Sequence, residues 1–181
     1  GEVTDRAIRA ELLDEGLELL KRMWAGMPVR FTGKHYQVDV NEENFLTPPP
    51  PPPVQQPRIP IWVVGAWLKQ KSMQRALRYD GLLPNVMGED GKVRMSPATP
   101  QEVGEMRAFI QARRTDTTPF DIVVEGETPG EDPAAAVVLV RPYAEAGATW
   151  WLEARWTAPD LAQVLERIHQ GPPGWQEDGR G

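Results

Sequence analysis

The amino-acid sequence predicts an α/β fold: a partial (half) TIM-type βα barrel of about four parallel strands, with a small β-hairpin excursion. Three observations support this prediction. First, four short apolar runs recur along the chain, with the length that is typical of strands buried on both faces. Second, a helix-forming stretch follows each run, and strands that alternate with helices are typical of parallel βα units. Third, four such units are half of the eight that close a barrel.

The four apolar runs occupy residues 59–64, 80–86, 120–124 and 149–152. At 181 residues, the chain is shorter than the ~200 residues that a complete βα barrel needs as a minimum. Half a barrel would leave two parallel strand edges unpaired and would expose its apolar inner face. We expect Ile61 and Val63 to line that inner face. We also expect the exposed face to cause self-association or to bind a complementary half-barrel.

Composition limits the classes of partner. The formal net charge is −6 and no basic patch with interleaved aromatic residues occurs, so nucleic acid and anionic membranes are not expected as partners. No apolar run is long enough to span a bilayer. Cysteine is absent, which excludes disulfides and thiolate chemistry. The first residues, 1–5, are polar and do not resemble a signal peptide, so we expect a soluble cytoplasmic protein.

A helix and a hairpin are expected before the barrel units. Thr4 is a suitable N-cap for the helix, its apolar residues recur on one face, and Gly26 is expected to end it. The segments 29–32 and 35–38 flank a Gly-Lys pair, a two-residue connection that is typical of a hairpin turn. Antiparallel strands do not belong to a parallel barrel, so the hairpin is expected to be a separate excursion.

Residues 48–53 are six consecutive prolines. Each proline fixes its own φ and moves the preceding residue out of the helical region, so the run is expected to be extended. One interpretation is a stiff connector into the first barrel strand, because residues 54–58 continue directly into that strand. The other interpretation is a ligand for an SH3-like domain, which would make the chain an adaptor.

The helices of the βα units begin at recognisable N-cap residues. The expected N-caps are Ser72, Thr99, Asp132 and Asp160. Thr99 is followed by Pro100 at the first helical position and by Glu102, which predicts a capping box. We expect one domain over residues 1–170 and a flexible tail over residues 171–181, where proline, glycine and polar residues are frequent.

Functional sites of βα barrels lie at the carboxyl ends of the strands, on the loops that follow. After the first apolar run, Gly65 and Ala66 form a small pair whose N–H groups could approach a phosphate or a flat ring closely. Lys69 and Ser72 could add further donors. The alternative is a tight turn in which the glycine serves backbone geometry alone.

Three carboxylates follow the third and fourth apolar runs. Glu125, Glu127 and Glu153 could act as acid or base, or could orient a ligand. Of these, Glu125 and Glu153 are the candidate catalytic residues. The alternative is that the carboxylates are solvated or ion-paired, with Arg155 as one partner.

Tryptophans occur near the same strand ends, and aromatic walls suit a planar cofactor. Trp67 is the strongest candidate for a ligand contact, because it follows the small pair after the first run. Trp150 and Trp151 are adjacent in a strand, so they must point to opposite faces and at least one of them belongs to the core. Trp156 follows the last apolar run.

Several common catalytic motifs are missing from the sequence. The two histidines, His35 and His169, lie far apart, so no metal-ligand spacing occurs and no metal is expected. The sequence contains no Gly-x-Ser-x-Gly, no P-loop and no Gly-x-Gly-x-x-Gly motif. A self-contained hydrolase or nucleotide kinase is therefore not indicated.

Several segments resemble those of one known family. In chain order they are 9–20, 23–26, 31–36, 53–65, 78–81 and 143–151. Together with the sequence between them they cover nearly all of the chain except the loop at 88–97 and the tail. Across these segments the chain resembles the C-terminal half of the luciferase-like flavin-dependent monooxygenases, the bacterial luciferase superfamily.

The resemblance implies a βα barrel that binds reduced FMN or the deazaflavin F420 and acts on a small-molecule substrate. FMN members of the family activate oxygen at the flavin, whereas F420 members exchange hydride. By the same resemblance, Gly65, Ala66 and Trp67 fall where the loop after the fifth barrel strand contacts flavin or its phosphate, and Ser72 is counted with them as a donor. The expected function is that of a flavin-dependent oxidoreductase or monooxygenase.

A second hypothesis comes from the strands that the resemblance leaves out. The first four strands of the family barrel have no counterpart in this sequence, and they would supply much of the flavin pocket. On this hypothesis the chain is a non-catalytic, truncated half-barrel that binds a partner chain or is degenerate. Flavin binding by the folded chain distinguishes the two hypotheses.

Overall fold

The computed structural model describes residues 2–26, 28–41, 43–44 and 51–173. The chain divides into two compact units, Gly1–Pro60 and Ile61–Gly181. The expected single domain over residues 1–170 stays a prediction, and residues 174–181 of the expected tail lie outside the described part. None of the described helices has the length and apolar character needed to cross a membrane.

The first unit contains helix α1, Arg6–Ala25. The N-cap predicted at Thr4 is wrong. The cap is Asp5, whose carboxylate accepts hydrogen bonds from two backbone N–H groups of the first turn, at 2.8 and 2.9 Å. The predicted end is confirmed, since Gly26 is the C-cap and has a φ of 109°, which glycine adopts without a steric penalty.

Strands β1, Val29–Thr32, and β2, Gln37–Val40, form the predicted antiparallel hairpin. The prediction of a two-residue turn is wrong: the connection is residues 33–36, because Thr32 pairs with Gln37. The Glu15 carboxylate explains the longer turn. It accepts hydrogen bonds from the N–H groups of residues 34, 35 and 36 at 2.8, 2.9 and 3.1 Å, so these groups are satisfied without strand pairing.

The proline run is described only in part. Residues 48–50 lie outside the described residues, and residues 51–53 form neither helix nor strand. The segment then continues to the second unit with a cis peptide bond between Gln56 and Pro57. The connector and the SH3-ligand interpretations both stay predictions.

The second unit contains one four-stranded sheet. Its strands are β3, Trp62–Ala66; β4, Gly81–Asn85; β5, Asp121–Gly126; and β6, Trp150–Glu153. They lie in chain order and every neighbouring pair is parallel, as the four apolar runs predicted. The carboxyl ends of all four strands therefore meet at one edge of the sheet. The predicted α/β fold, with parallel strands and a separate antiparallel hairpin, is confirmed.

A helix follows each strand of this sheet. The helices are α2, Gln70–Ala76; α3, Pro100–Arg113; α4, Pro133–Ala146; and α5, Leu161–His169. The predicted N-caps are confirmed at Thr99, Asp132 and Asp160. The N-cap predicted at Ser72 is wrong, because α2 already begins at residue 70. The Ser72 hydroxyl instead accepts a hydrogen bond from the Ala66 N–H at 2.9 Å.

The helices cover one face of the sheet and form the core with it. The buried cluster on this face includes Met73, Leu82, Val103, Met106, Ile110, Ile122 and Val124. Because strand residues alternate between faces, the opposite face, called here the open face, carries Trp62, Val64, Leu83, Val123, Trp150 and Leu152. On the open face, the side chains of Val64 and Trp150 are 52% and 51% exposed.

The prediction that Ile61 and Val63 line the inner face is wrong. Both residues are buried, and Val63 lies on the same face as Gly65. That face is the one covered by helices, because a Cβ atom added to Gly65 would lie 3.2 Å from Met73 Sδ of α2. Val64 takes the open face instead. The sequence could not show this, because a strand with apolar residues at successive positions gives no signal for which residues face the helices.

Candidate functional site

A cavity of about 480 Å³ lies at the carboxyl ends of strands β4, β5 and β6. Its walls are the ends of β4 and β5, the loop of residues 93–98, and residues 154, 156 and 157, which follow β6. The apolar lining includes Val86, Val93, Met95, Ala98 and Trp156. The volume falls within the ~300–1,000 Å³ that is typical of small-molecule sites. The cavity lies at the edge of the sheet where the sequence predicted a site.

A second cavity, of about 460 Å³, lies at the opposite, amino ends of β5 and β6, between α3 and α4. Arg107 and Arg114 line it. Arg114 is engaged within the chain, because its guanidinium donates hydrogen bonds to the carbonyl and hydroxyl oxygens of Thr118. The amino ends of βα folds serve stability rather than chemistry, so the cavity at the carboxyl ends is the better candidate site.

The loop of residues 93–98 is held against α3 by Arg94. Its guanidinium donates two hydrogen bonds to the Glu102 carboxylate, at 3.0 and 2.7 Å, and one to the Pro97 carbonyl at 3.0 Å. The hydrogen bond from Arg94 lowers the pKa of the Glu102 carboxyl despite its partial burial. Glu102 also completes the cap of α3, so one carboxylate fixes both the helix start and a cavity wall.

The two candidate catalytic glutamates lie on opposite faces of the sheet. Glu125 is exposed at the cavity, and its carboxylate makes no hydrogen bond or ion pair within the described residues. Next to it in the lining, the Glu127 carboxylate lies 3.8 Å from Arg155 Nε, an ion pair of the kind that the alternative interpretation predicted. Glu153 lies on the helix-covered face, because it is in register with Gly126 there.

A buried polar network holds Glu153. One carboxylate oxygen accepts hydrogen bonds from the Thr128 N–H (2.8 Å) and Arg167 Nε (3.2 Å), and the other accepts one from the Thr128 hydroxyl (2.7 Å). Arg167 also donates to the Thr128 hydroxyl oxygen (2.8 Å) and to the Gly171 carbonyl (2.6 Å). Thr128 and Arg167 are only 2% and 6% exposed. The network joins the loop after β5, the end of β6 and helix α5.

The network sets the charge state of Glu153. Burial alone would raise the pKa of its carboxyl, but hydrogen bonds from Thr128 and Arg167 outweigh burial, so the pKa lies below the ordinary value of 4.5. Glu153 is therefore ionised at neutral pH and has no proton to donate. Its oxygens are also occupied by donors, so the geometry favours Glu125 over Glu153 for acid–base chemistry. The catalytic role of either residue stays a prediction.

The residues that were predicted to contact a cofactor after β3 are bonded within the chain. The Ala66 N–H donates to Ser72 Oγ at 2.9 Å, and the Trp67 N–H donates to the Asn85 carbonyl at 2.8 Å. A phosphate placed at these two amides would have to displace both hydrogen bonds. The role of these residues in cofactor binding stays a prediction.

Gly65 and Trp67 both serve packing on the helix-covered side. A Cβ atom on Gly65 would lie 2.3 Å from Leu82 Cδ1, so the absence of a side chain lets the neighbouring strand and α2 approach closely. The Trp67 indole is 6% exposed and meets the Phe109 ring edge-on, with centroids 5.8 Å apart. Packing therefore accounts for both residues without a ligand.

The remaining tryptophans divide between the faces. Trp150 lies on the open face with its ring centroid 5.3 Å from that of Trp62, and Trp151 lies on the helix-covered face, 5.3 Å from the Tyr143 ring. The prediction that Trp150 and Trp151 point to opposite faces is confirmed. Trp156 lines the cavity and is 80% exposed, so it is well placed to contact a planar ligand.

Sequence reasoning missed Thr128, Arg167 and Arg94. Thr128 and Arg167 lie 39 residues apart, and no local pattern pairs residues at that separation. Arg94 gave no local signal either, because the helix dipole favours cations at the C-terminus of a helix and Arg94 lies before the N-terminus of α3. Across the described ranges, no three His, Asp or Glu side chains come together as a metal site.

A comparison with protein families extends these observations. The family described as luciferase-like monooxygenase matches residues 2–173 of the chain. The match spans nearly the whole sequence and both compact units. A comparison with curated proteins gives no significant match.

Proposed function

Because this chain belongs to the luciferase-like monooxygenase family, we propose that it forms part of the active site of a flavin-dependent oxidoreductase. The cofactor would be reduced FMN or F420, and the substrate a small molecule. One observation carries the proposal: the cavity of about 480 Å³ lies at the carboxyl ends of β4, β5 and β6. That edge is where βα folds carry their chemistry.

The cavity suits the ring of a flavin better than its phosphate. Val93, Met95 and Trp156 offer apolar and aromatic surface to a flat ring. The exposed carboxylate of Glu125 would accept or release a proton beside that ring. Bound reduced flavin would supply the electrons for oxygen activation or the hydride for transfer. The phosphate would need donors other than the two engaged amides after β3.

Titration of the folded chain with FMN, reduced FMN and F420 tests the proposal. We expect binding in the micromolar range, measured as the bound fraction after ultrafiltration. Ser96→Trp places a large ring in the cavity, because Ser96 is an exposed residue of its lining. This variant is expected to weaken binding by about tenfold or more, which is ~1.4 kcal/mol.

Thr117→Trp is the matched control, because Thr117 is an exposed loop residue that does not line the cavity. It is expected to leave the affinity unchanged. Equal losses in both variants would contradict the assignment of the cavity. Absence of binding by all three cofactors, in a chain that circular dichroism shows to be folded, would contradict the proposal for the isolated chain.

A second candidate function rests on the open face. Val64 and Trp150 are half-exposed there, and within the described residues no further strand pairs with β3 or β6 at the sheet edges. An apolar face between two unpaired edges favours association with more strands. On this second proposal the chain self-associates or binds a complementary half-barrel, and by itself it is a non-catalytic, truncated half-barrel.

Light scattering after size-exclusion chromatography tests self-association. We expect a mass above that of one chain, and we expect Val64→Glu to shift the protein to a monomer because the new carboxylate would lose its hydration in the contact. Val138→Glu is the control, because Val138 is 73% exposed on α4. A clean monomer of the unmodified chain, or the same shift in both variants, would argue against self-association through the open face.

A further inference from the structure

We propose that Glu153 is a positioning residue: with Thr128 and Arg167, it fixes the wall of the carboxyl-end cavity to helix α5. The position of α5 then sets the shape of the cavity. The inference rests on the proposed function only in treating this cavity as the ligand site. It gives Glu153 a role that differs from the catalytic one suggested by the sequence, since Glu153 acts through the loop that follows β5.

The carboxylate of Glu153 is engaged by donors from within the chain. Its two carboxylate oxygens accept two hydrogen bonds from Thr128, one from Arg167 and one of 3.4 Å from Trp151 Nε1. A carboxylate offers about four acceptor positions, so these donors occupy it fully. Glu153 is not part of the lining of the carboxyl-end cavity. Together with Arg167 it lines a separate cavity of about 430 Å³ beside α5.

The segment that Glu153 holds is a wall of that cavity. Glu125, Gly126 and Glu127 line the cavity, and Thr128 follows them directly. Both the N–H and the hydroxyl of Thr128 are bonded to Glu153. A displacement of Thr128 would therefore move the carboxylates of Glu127 and Glu125, because only one and three peptide units separate these residues from it.

The other end of the network is helix α5. Arg167 is the one buried residue of this fully described helix, whereas Leu165 and Ile168 are 45% and 65% exposed. The helix is thus attached to the sheet through a charged, hydrogen-bonded group rather than through its apolar stripe. Gly130 allows the close approach, since a Cβ atom there would lie 3.0 Å from Arg167 Cδ. Charge-assisted hydrogen bonds have strict geometry, so a shift of α5 is transmitted to Thr128.

Hydrogen exchange and flavin affinity together test the proposal. The reporter amides are those at positions 128 and 154, because the Ala154 N–H donates to the Gly126 carbonyl at 2.9 Å. Thr128→Val removes the hydroxyl at nearly constant volume. It is expected to speed exchange at both amides by about tenfold or more and to weaken flavin binding by a similar factor. Thr128→Ser restores the hydroxyl and is expected to return both values close to those of the unmodified chain.

Ile110→Val is the control for a general loss of stability. Ile110 belongs to the buried core cluster and lines the second cavity, at the amino ends of β5 and β6. The variant therefore loses core packing without touching the network. This variant is expected to leave the flavin affinity unchanged. Its two reporter amides are expected to exchange no faster, relative to the other amides of the chain, than they do in the unmodified protein.

Two results would overturn the proposal: unchanged exchange in Thr128→Val, or equal effects in Thr128→Val and Ile110→Val. If the unmodified chain binds no flavin, only the proposed function is contradicted. The exchange measurement does not depend on flavin, so it still decides whether the network positions the loop. Faster exchange in Thr128→Val with rescue by Thr128→Ser would then support the positioning role by itself.

Discussion

Gly65→Leu is expected to lower the free energy of unfolding of the sheet unit by about 3 kcal/mol or more, or to prevent its folding. A single Cβ atom at this position would already lie 2.3 Å from Leu82 Cδ1 and 3.2 Å from Met73 Sδ. Leu82 and Met73 are 0% and 1% exposed, so neither can move into solvent. The rest of the leucine side chain would need space that a close-packed core does not have. Urea denaturation followed by far-UV circular dichroism measures the loss.

Gly104→Ala is the matched control for this substitution. Gly104 lies in α3, and a Cβ atom there would have nothing within 4 Å. Alanine is the better helix former, so this variant is expected to gain about 0.5–1 kcal/mol. Equal stability of Gly65→Leu and the unmodified chain would contradict the packing described for β3. The expected loss also means that a bulky residue at position 65 cannot serve as a specific block of flavin binding.

Arg167→Met is expected to lower the free energy of unfolding by about 3 kcal/mol at neutral pH. Methionine keeps most of the buried volume but removes the donors to Glu153, to the Thr128 hydroxyl and to the Gly171 carbonyl. The Glu153 carboxylate would then stay partly buried without its cation, which costs more than the intact pair contributes. This value is the lower end of the free-energy cost that is typical of removing one partner of a buried ion pair. We expect the lower end because the Glu153 side chain is 24% exposed.

The pH dependence separates the charge of this pair from its packing. The pKa of Glu153 is lowered in the folded chain, so the stability it contributes is fully present above its ordinary value of 4.5 and is lost as the pH falls through the lowered pKa. The difference between the unmodified chain and Arg167→Met is therefore expected to shrink in acid.

Arg113→Met is the control for Arg167→Met. Arg113 is exposed in the last turn of α3, where its guanidinium lies 4.1 Å from the Phe109 ring centroid. Its loss is expected to cost about 0.5–1 kcal/mol at every pH. A cost of Arg167→Met that stays constant from neutral pH to about pH 3 would mean that lost packing, rather than the ion pair, is responsible.

Features that depend on local sequence were predictable. The caps at Thr99, Asp132 and Asp160 follow from side chains that bond to N–H groups three residues away. The apolar runs gave the four strands and their order, although the first strand begins at Trp62, later than its run. The location of a cavity at the carboxyl ends followed from the parallel arrangement alone.

Features that depend on spatial neighbours were not predictable. Asp5 rather than Thr4 caps α1, although both residue types suit that position. Glu15 reshapes the hairpin turn across a separation of about twenty residues. Ser72 bonds to a strand-end amide instead of capping a helix, because α2 starts earlier than its side chain suggested.

The sequence by itself determined the four βα units, their parallel order and the family to which the chain belongs, because periodicity, caps and family motifs are properties of neighbouring residues. Only the tertiary structure decided which face each side chain occupies and which groups remain available to a ligand. Val64 rather than Val63 faces the open side, and Glu153 is bound to Arg167 while Glu125 is left at the cavity. The physical reason is that strand register and buried hydrogen bonds join residues far apart in the chain, and no local pattern records those pairings.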